Sequence, residues 1–153
     1  MTADEPKLEK QVCFALYAAS RAVTSHYRPM LDALGLTYPQ YLVMLVLWER
    51  GPALVKELGA ALDLDSGTLS PLLKRLETAG LVRRRRCVED ERAVRVHLTE
   101  EGSELRTRAT MVPCKLSGAT GMDRRELEAL RQNLVRLTAG ITAQQDRMRR
   151  GSS

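Results

Sequence analysis

The stretch Leu64-Asp65-Ser66-Gly67-Thr68-Leu69-Ser70-Pro71-Leu72-Leu73-Lys74-Arg75-Leu76-Glu77 decides the fold. Leu69, Leu72, Leu73 and Leu76 recur at i, i+3, i+4 and i+7, which predicts a helix over 66–79 with one apolar face. Asp65 or Ser66 supplies its N-cap, and Gly80 ends it. Upstream, residues 54–62 predict a short helix, and Asp63-Leu64-Asp65 leaves only a tight connection. Downstream the period changes. Val94, Val96 and Leu98 alternate with Arg95 and His97, which predicts a strand. Residues 81–86 can pair with it as a hairpin whose polar tip is Glu89-Asp90-Glu91-Arg92. Two short helices across a tight turn, followed by a basic hairpin, is the order of a winged helix-turn-helix.

Working outward, residues 7–33 read as a long helix with Pro6 in its first turn and a stop near Gly35. Thr37-Tyr38-Pro39-Gln40 spells a capping box, Thr37 being the N-cap and Gln40 returning a hydrogen bond. Residues 38 to about 50 are almost wholly apolar, which predicts a helix central to the core, broken at Gly51-Pro52. On the other side, Leu98-Thr99-Glu100-Glu101-Gly102 opens a helix capped by Thr99, and residues 114–121 read as a helix end and loop. Asp123-Arg124-Arg125-Glu126 is a second capping box. It precedes an apolar stripe of Leu127, Leu130, Leu134, Leu137 and Ile141 that runs to about 147. Residues 148–153 read as a flexible tail. The expected fold class is mainly α with a small β wing, a single domain over 1–153. Its winged-helix core covers about 37–98, flanked by N- and C-terminal dimerisation helices at about 7–33 and 99–147.

Aromatic content is only 4% against 44% hydrophobic, so Leu, Val and Ala must build the core. The net charge of +5 is uneven: residues 66–98 hold eight Lys and Arg against four Asp and Glu, which places +4 of it in the reader segment. A local basic excess suits a polyanion, and no amphipathic basic helix there points to a membrane surface. Cysteines stand at 13, 87 and 114, odd in number and without a CxxC pair. With no leader and no membrane-length apolar run, free thiols in a reducing, cytoplasmic setting are expected. Cys13, His26, Cys87, His97 and Cys114 are scattered without ligand spacing, so no metal and no cofactor is read.

The partner expected is double-stranded DNA, with helix 66–79 in a major groove. Ser66, Thr68 and Ser70 would face bases and phosphates from its first turns, with Lys74 and Arg75 further along and Arg84 and Arg86 adding charge from the hairpin. Arg92 at the wing tip suits a narrow minor groove, and Asp90 orients the wing rather than touching DNA. Two half-sites one helical turn apart call for a two-fold homodimer on an inverted-repeat operator. An ordinary surface helix beside a solvated charge run is the blander reading. It does not account for the order of the elements.

Gln11-Val12-Cys13-Phe14-Ala15-Leu16-Tyr17-Ala18-Ala19-Ser20-Arg21 and Leu36-Thr37-Tyr38-Pro39-Gln40-Tyr41 stand ahead of the reader. With residues 64–77, the Asp90-Glu91-Arg92 tip and Leu98-Thr99-Glu100-Glu101-Gly102, they resemble the MarR family of winged-helix repressors over about residues 8–145. Within it the cysteine segment and Tyr-Pro-Gln-Tyr are similar to the organic hydroperoxide resistance regulators (OhrR). The resemblance implies a homodimeric repressor that is not an enzyme. It implies that an organic hydroperoxide oxidises Cys13, that Tyr27 and Tyr38 hydrogen-bond its sulfur across the dimer interface, and that the operator is then released. Some members carry a second cysteine near the position of Cys114 and form an intersubunit disulfide; others use a small thiol.

The chemistry at Cys13 can be read from its neighbours. Only thiolate attacks a peroxide oxygen, so the sulfur must be reachable and its charged form favoured. Lys10 is the sole basic neighbour in sequence, and the helix dipole would help modestly from one to two turns in. Val12, Phe14 and Leu16 would shape a pocket for greasy hydroperoxides. Tyr17, four residues on, stands open between core and phenol cluster. Free cysteine is often simply core, which is the plain alternative for Cys13 and, as a bystander, for Cys114. Cys87 reads as an exposed bystander at the wing base. A metal sensor lacks clustered ligands, and a thiol peroxidase needs no DNA reader. A MarR-type repressor released by a small phenolic ligand, with Cys13 structural, is the nearer rival.

Overall fold

The computed structural model describes residues 7–151 and, within them, every side chain except those of residues 113–116. The chain groups into two compact units that meet in sequence at Val112 and Pro113.

In the first unit, residues 8–10 form one 3-10 turn, Gln11 is extended, and α1 runs from Val12 to Asp32. The single long helix expected from residue 7 is therefore interrupted. Its first segment has no side-chain cap and leaves Leu8 exposed, and starting a helical turn is costly without such support. Pro6, expected in that first turn, lies outside the described residues. α2 spans Tyr38–Arg50. Its capping box forms as expected: Thr37 Oγ1 accepts from Gln40 N–H at 3.4 Å, and Gln40 Oε1 accepts from Thr37 N–H at 2.9 Å. Tyr41, Val43, Met44, Val46, Leu47 and Trp48 are buried, so α2 is the spine of the core.

β1 (Ala53–Leu54), α3 (Val55–Leu62), α4 (Ser66–Thr78), β2 (Val82–Arg86), β3 (Val94–Leu98) and α5 (Glu100–Ala109) follow. The antiparallel sheet has the order β1-β3-β2. In its register Val82 faces Leu98, Arg84 faces Val96, and Ala53 faces Val96 from the other side. Leu69, Leu72, Leu73 and Leu76 are buried as their spacing requires, together with Leu58, Val82 and Val96. Each such side chain contributes about 1.5–3 kcal/mol on burial. Gly80 ends α4 with φ 75°, a conformation a Cβ disfavours. From there the chain turns straight into β2.

A knot of hydrogen bonds ties the wing base to α5. Thr99 Oγ1 donates to Gly80 O at 2.6 Å and accepts from Gly102 N–H at 3.0 Å, and Thr99 N–H donates to Leu81 O. Gly102 O in turn accepts from the indole Nε1–H of Trp48 at 2.8 Å. Arg108 reaches Ala33 O at the end of α1, a cation placed where the helix carbonyls are unsatisfied.

The second unit contains most of α6 (Val112–Ala119) and α7 (Arg124–Gly151). Residues 114–119, expected to be a helix end and loop, are helical, and α7 continues to Gly151, into the segment expected as a tail. Asp123 and Glu126 close the second capping box at 2.7 and 2.9 Å. No residue of α7 is buried: Leu130, Leu134, Leu137 and Ile141 of its apolar stripe are exposed. Among the described residues no helix is long and apolar enough to cross a membrane.

Candidate functional site

α3 and α4 meet at Asp63, whose left-handed conformation (φ 54°) makes the tight turn. Asp65, rather than Ser66, caps α4: its Oδ1 accepts from Thr68 N–H at 2.7 Å. That bond holds the Asp65 carboxyl below its usual range. With the four leucines turned inward, Ser66, Thr68, Ser70, Lys74 and Arg75 all lie on the exposed side of α4. The structure thus gathers the five residues read as a groove-reading set onto one helix surface.

The wing is shaped by short bonds. Asp90 Oδ1 accepts from Arg92 N–H at 3.0 Å, Ala93 N–H donates to Asp90 O, and Cys87 N–H donates to Ala93 O at 2.8 Å. The Asp90 carboxylate faces the backbone of Arg92, leaving the Arg92 side chain exposed at the tip. Between α4 and the wing lies a concave space of about 720 Å³, bordered by Ser66, Ser70, Arg84, Asp90 and Arg92 over a leucine floor. Cys87 sits at the outer end of β2, half-buried, rather than exposed at the wing base.

Arg84, expected to add charge toward DNA from the hairpin, is engaged within the chain. Its guanidinium donates to Glu77 Oε1 at 3.0 and 3.3 Å, and its backbone N–H donates to Glu77 Oε2 at 2.8 Å. Alternation explains the engagement. Arg84 falls on the same face of β2 as buried Val82, and that face looks at α4. Glu77 therefore clasps the wing strand to the reading helix, a link that sequence reasoning missed although the period of two from Val82 points to it. Hydrogen bonds from the Arg84 backbone and side chain hold the Glu77 carboxyl below its usual range. The clasp is thus fully charged at neutral pH, and its contribution is lost only as pH falls through that lowered value. Glu77→Gln should leave thermal stability within about 1 kcal/mol, as for a half-exposed pair. It should lower the ratio of operator to non-specific affinity roughly tenfold, for a loss of ~1.4 kcal/mol in wing placement. Competition titrations against random-sequence duplex measure that ratio, and an unchanged value would remove the clasp from DNA reading.

Cys13 is the second residue of α1 and is exposed. The interruption at Gln11 puts it in the first turn of α1, closer to a helix start than the sequence alone suggests. Around it Val12, Phe14 and Tyr17 are exposed too, at 65, 43 and 61%. Tyr17 lies under the Arg21 guanidinium, 5.6 Å from the ring centre, so it belongs neither to the core nor to the phenol cluster. That cluster is real elsewhere: Tyr27 and Tyr38 rings are 5.3 Å apart, and Tyr41 lies 6.3 Å from both. Burial, then Tyr38 and Tyr41, push the Tyr27 phenol above its usual range, so it is a neutral donor at pH 7. The Tyr27 hydroxyl has no hydrogen-bond partner among the described residues. Cys13 and Tyr27 are fourteen residues apart on one helix, about 21 Å at ~1.5 Å per residue. One chain does not bring them together. Cys114 falls in α6, but its side chain lies outside the described residues. Among the described residues no three His, Cys, Asp or Glu side chains group as metal ligands.

Comparison with known proteins matches this layout. A family model described as transcriptional regulator SarA/Rot matches residues 25–108. The organic hydroperoxide resistance transcriptional regulator of Bacillus subtilis (strain 168) is 48% identical over 134 residues, 88% of this chain and 91% of that protein. Reduced AbfR bound to DNA superposes with a TM-score of 0.76 at 33% identity, covering 88% of this chain and 94% of that one. AbfR comes from Staphylococcus epidermidis, and its overoxidised, DNA-bound and disulfide-formed structures are similar as well. NadR in complex with 4-hydroxyphenylacetate has a TM-score of 0.69 at 26% identity, covering 90% and 97% of the two chains.

Proposed function

This chain belongs to the MarR family of winged-helix transcriptional regulators, in its organic hydroperoxide resistance group, and on that premise we propose that it is a homodimeric repressor switched by oxidation of Cys13. It is a DNA-binding regulator and not an enzyme. In the proposed cycle the reduced dimer occupies an inverted-repeat operator in the cytoplasm through Ser66, Thr68, Ser70, Lys74, Arg75, Arg86 and Arg92. Asp90 and the Glu77–Arg84 clasp hold the wing. An organic hydroperoxide transfers its terminal oxygen to the Cys13 thiolate, giving a sulfenic acid and releasing the alcohol. A thiol then condenses with the sulfenic acid, giving a disulfide and water.

The observation that carries this reading is the placement of Cys13. It is exposed in a helix first turn, amid uncovered apolar side chains and about 21 Å along its own helix from Tyr27. A second copy that covers the apolar faces of α1 and α7 can set its Tyr27 and Tyr38 hydroxyls against this sulfur. Neutral phenols then stabilise the thiolate by donation. The deciding experiment is a DNA mobility shift with wild type and Cys13→Ser, with and without an organic hydroperoxide.

The identity of the condensing thiol has its own test. If Cys114 of the second copy serves, non-reducing electrophoresis after peroxide shows a dimer band that Cys114→Ser abolishes. Unchanged bands in Cys114→Ser would assign the step to a small thiol. The rival reading, release by a phenolic ligand, draws on NadR, whose structure holds 4-hydroxyphenylacetate. Oxidative switching is favoured by the placement of Cys13 and by the 48% identity to an organic hydroperoxide resistance regulator.

A further inference from the structure

The wing carries two basic faces, and only one of them looks at the reading helix. Val82 is buried and Arg84 is clasped to α4, so the face holding Val82, Arg84 and Arg86 is the inner one. The register then places Arg83 opposite His97 and Arg85 opposite Arg95 on the outer face. Arg83 and Arg85 are exposed, whereas Arg95 and His97 are half-buried. Directly opposed residues in an antiparallel pair lie with Cβ atoms about 4.5–5.5 Å apart, and like charges there repel. Among the described residues none of the four makes an ion pair with a carboxylate. Glu100 borders a cleft of about 380 Å³ with Arg83, Arg85 and His97. Arg85 and Arg95 therefore oppose each other as like charges, and Arg83, Arg85 and Arg95 are left open to an outside anion.

The geometry of the wing indicates the source. When α4 and Arg92 engage one duplex, the inner face looks toward the groove held by α4. The outer face then looks along the same duplex in the opposite direction, past the minor groove entered by the tip. We propose that Arg83, Arg85 and Arg95 hold the sugar-phosphate backbone of the flanking DNA, outside the half-site read by α4 and Arg92. This rests on the operator-binding reading above and extends it: the protein grips more duplex than it reads, through contacts that carry no sequence information.

The test uses the full chain and a duplex that the protein itself selects from a random-sequence pool, prepared in two lengths. One length ends at the base pairs protected by the wing tips, and the other extends one helical turn further on each side. Wild type should bind the longer duplex on the order of tenfold more tightly at about 0.1 M salt, with a log–log salt slope steeper by about 0.9 for each added phosphate contact. The Arg83→Gln/Arg85→Gln variant should match wild type on the short duplex and lose the gain from extension. Its thermal unfolding, measured alongside, should be unchanged or higher, because the opposed Arg85–Arg95 pair has been relieved. Equal losses on both lengths would place these arginines inside the half-site and overturn the proposal, as would a wild type indifferent to the flanks. Failure of wild type to bind either duplex would instead overturn the operator reading, and the flanking contact with it.

Discussion

Cys13→Ser should remain on operator DNA after treatment with an organic hydroperoxide, while the wild-type protein leaves it. Oxygen transfer needs a thiolate, and serine offers no sulfur to oxidise. The substitution is mild for the fold: serine is nearly isosteric with cysteine and can still accept from a phenol, and within one chain the site is exposed in the first turn of α1. Untreated Cys13→Ser should therefore bind DNA within about twofold of wild type. Coupling between two sites is commonly worth about 1–3 kcal/mol, so oxidation should weaken wild-type binding by roughly 5- to 150-fold. Mobility-shift titrations with and without the oxidant give both numbers. If Cys13→Ser is released as readily as wild type, the signal enters elsewhere, and the DNA-reading half of the proposal stands alone.

The second large effect belongs to a glycine far from the thiol. A Cβ on Gly102 would collide with the backbone carbonyl of Leu81. That carbonyl cannot swing away, because it also accepts from Thr99 N–H where β3 ends. Gly102→Ala must therefore push α5 off the wing base. Doing so strains the Trp48–Gly102 bond, which is buried at 2.8 Å. Overpacking costs about 1–3 kcal/mol and an orphaned buried donor about 1–3 more, against a typical total stability of about 5–15 kcal/mol. Calorimetry should show Tm lowered by about 10 °C or more. A Tm within a degree or two of wild type would mean that the helix slides freely, and that the close approach is not what Gly102 is for.

The parts legible in the sequence are those set by local rules. The leucine spacing of α4, the two capping boxes, the alternation of β3 and the Thr99 cap all depend on residues within one or two turns of each other, and all form. The start of α1 was misplaced because a helix end without a capping side chain leaves no local mark. Arg84 and Arg86 share one face of the hairpin in the sequence as well, but the engagement of Arg84 by Glu77 depends on how that face packs on another element, which no local rule states. Gly102 appeared only as part of a motif. Its reason, a backbone crossing from Leu81 and an indole from Trp48, spans 54 residues and is invisible to any window. The thiol site was legible as residue types but not as geometry, since its parts lie at different heights on one helix.

Trp48 is the one tryptophan in the chain. Its ring stands edge-on to Tyr41 at 6.4 Å, and Tyr41 in turn neighbours Tyr27 and Tyr38. Light absorbed by those phenols will funnel to a single emitter whose N–H is pinned to the carbonyl at the foot of the wing. The protein thus carries a native optical gauge. Tyrosine-sensitised indole emission, its colour and its anisotropy report on one junction between α2 and α5, with no dye to attach and no second tryptophan to confuse the signal.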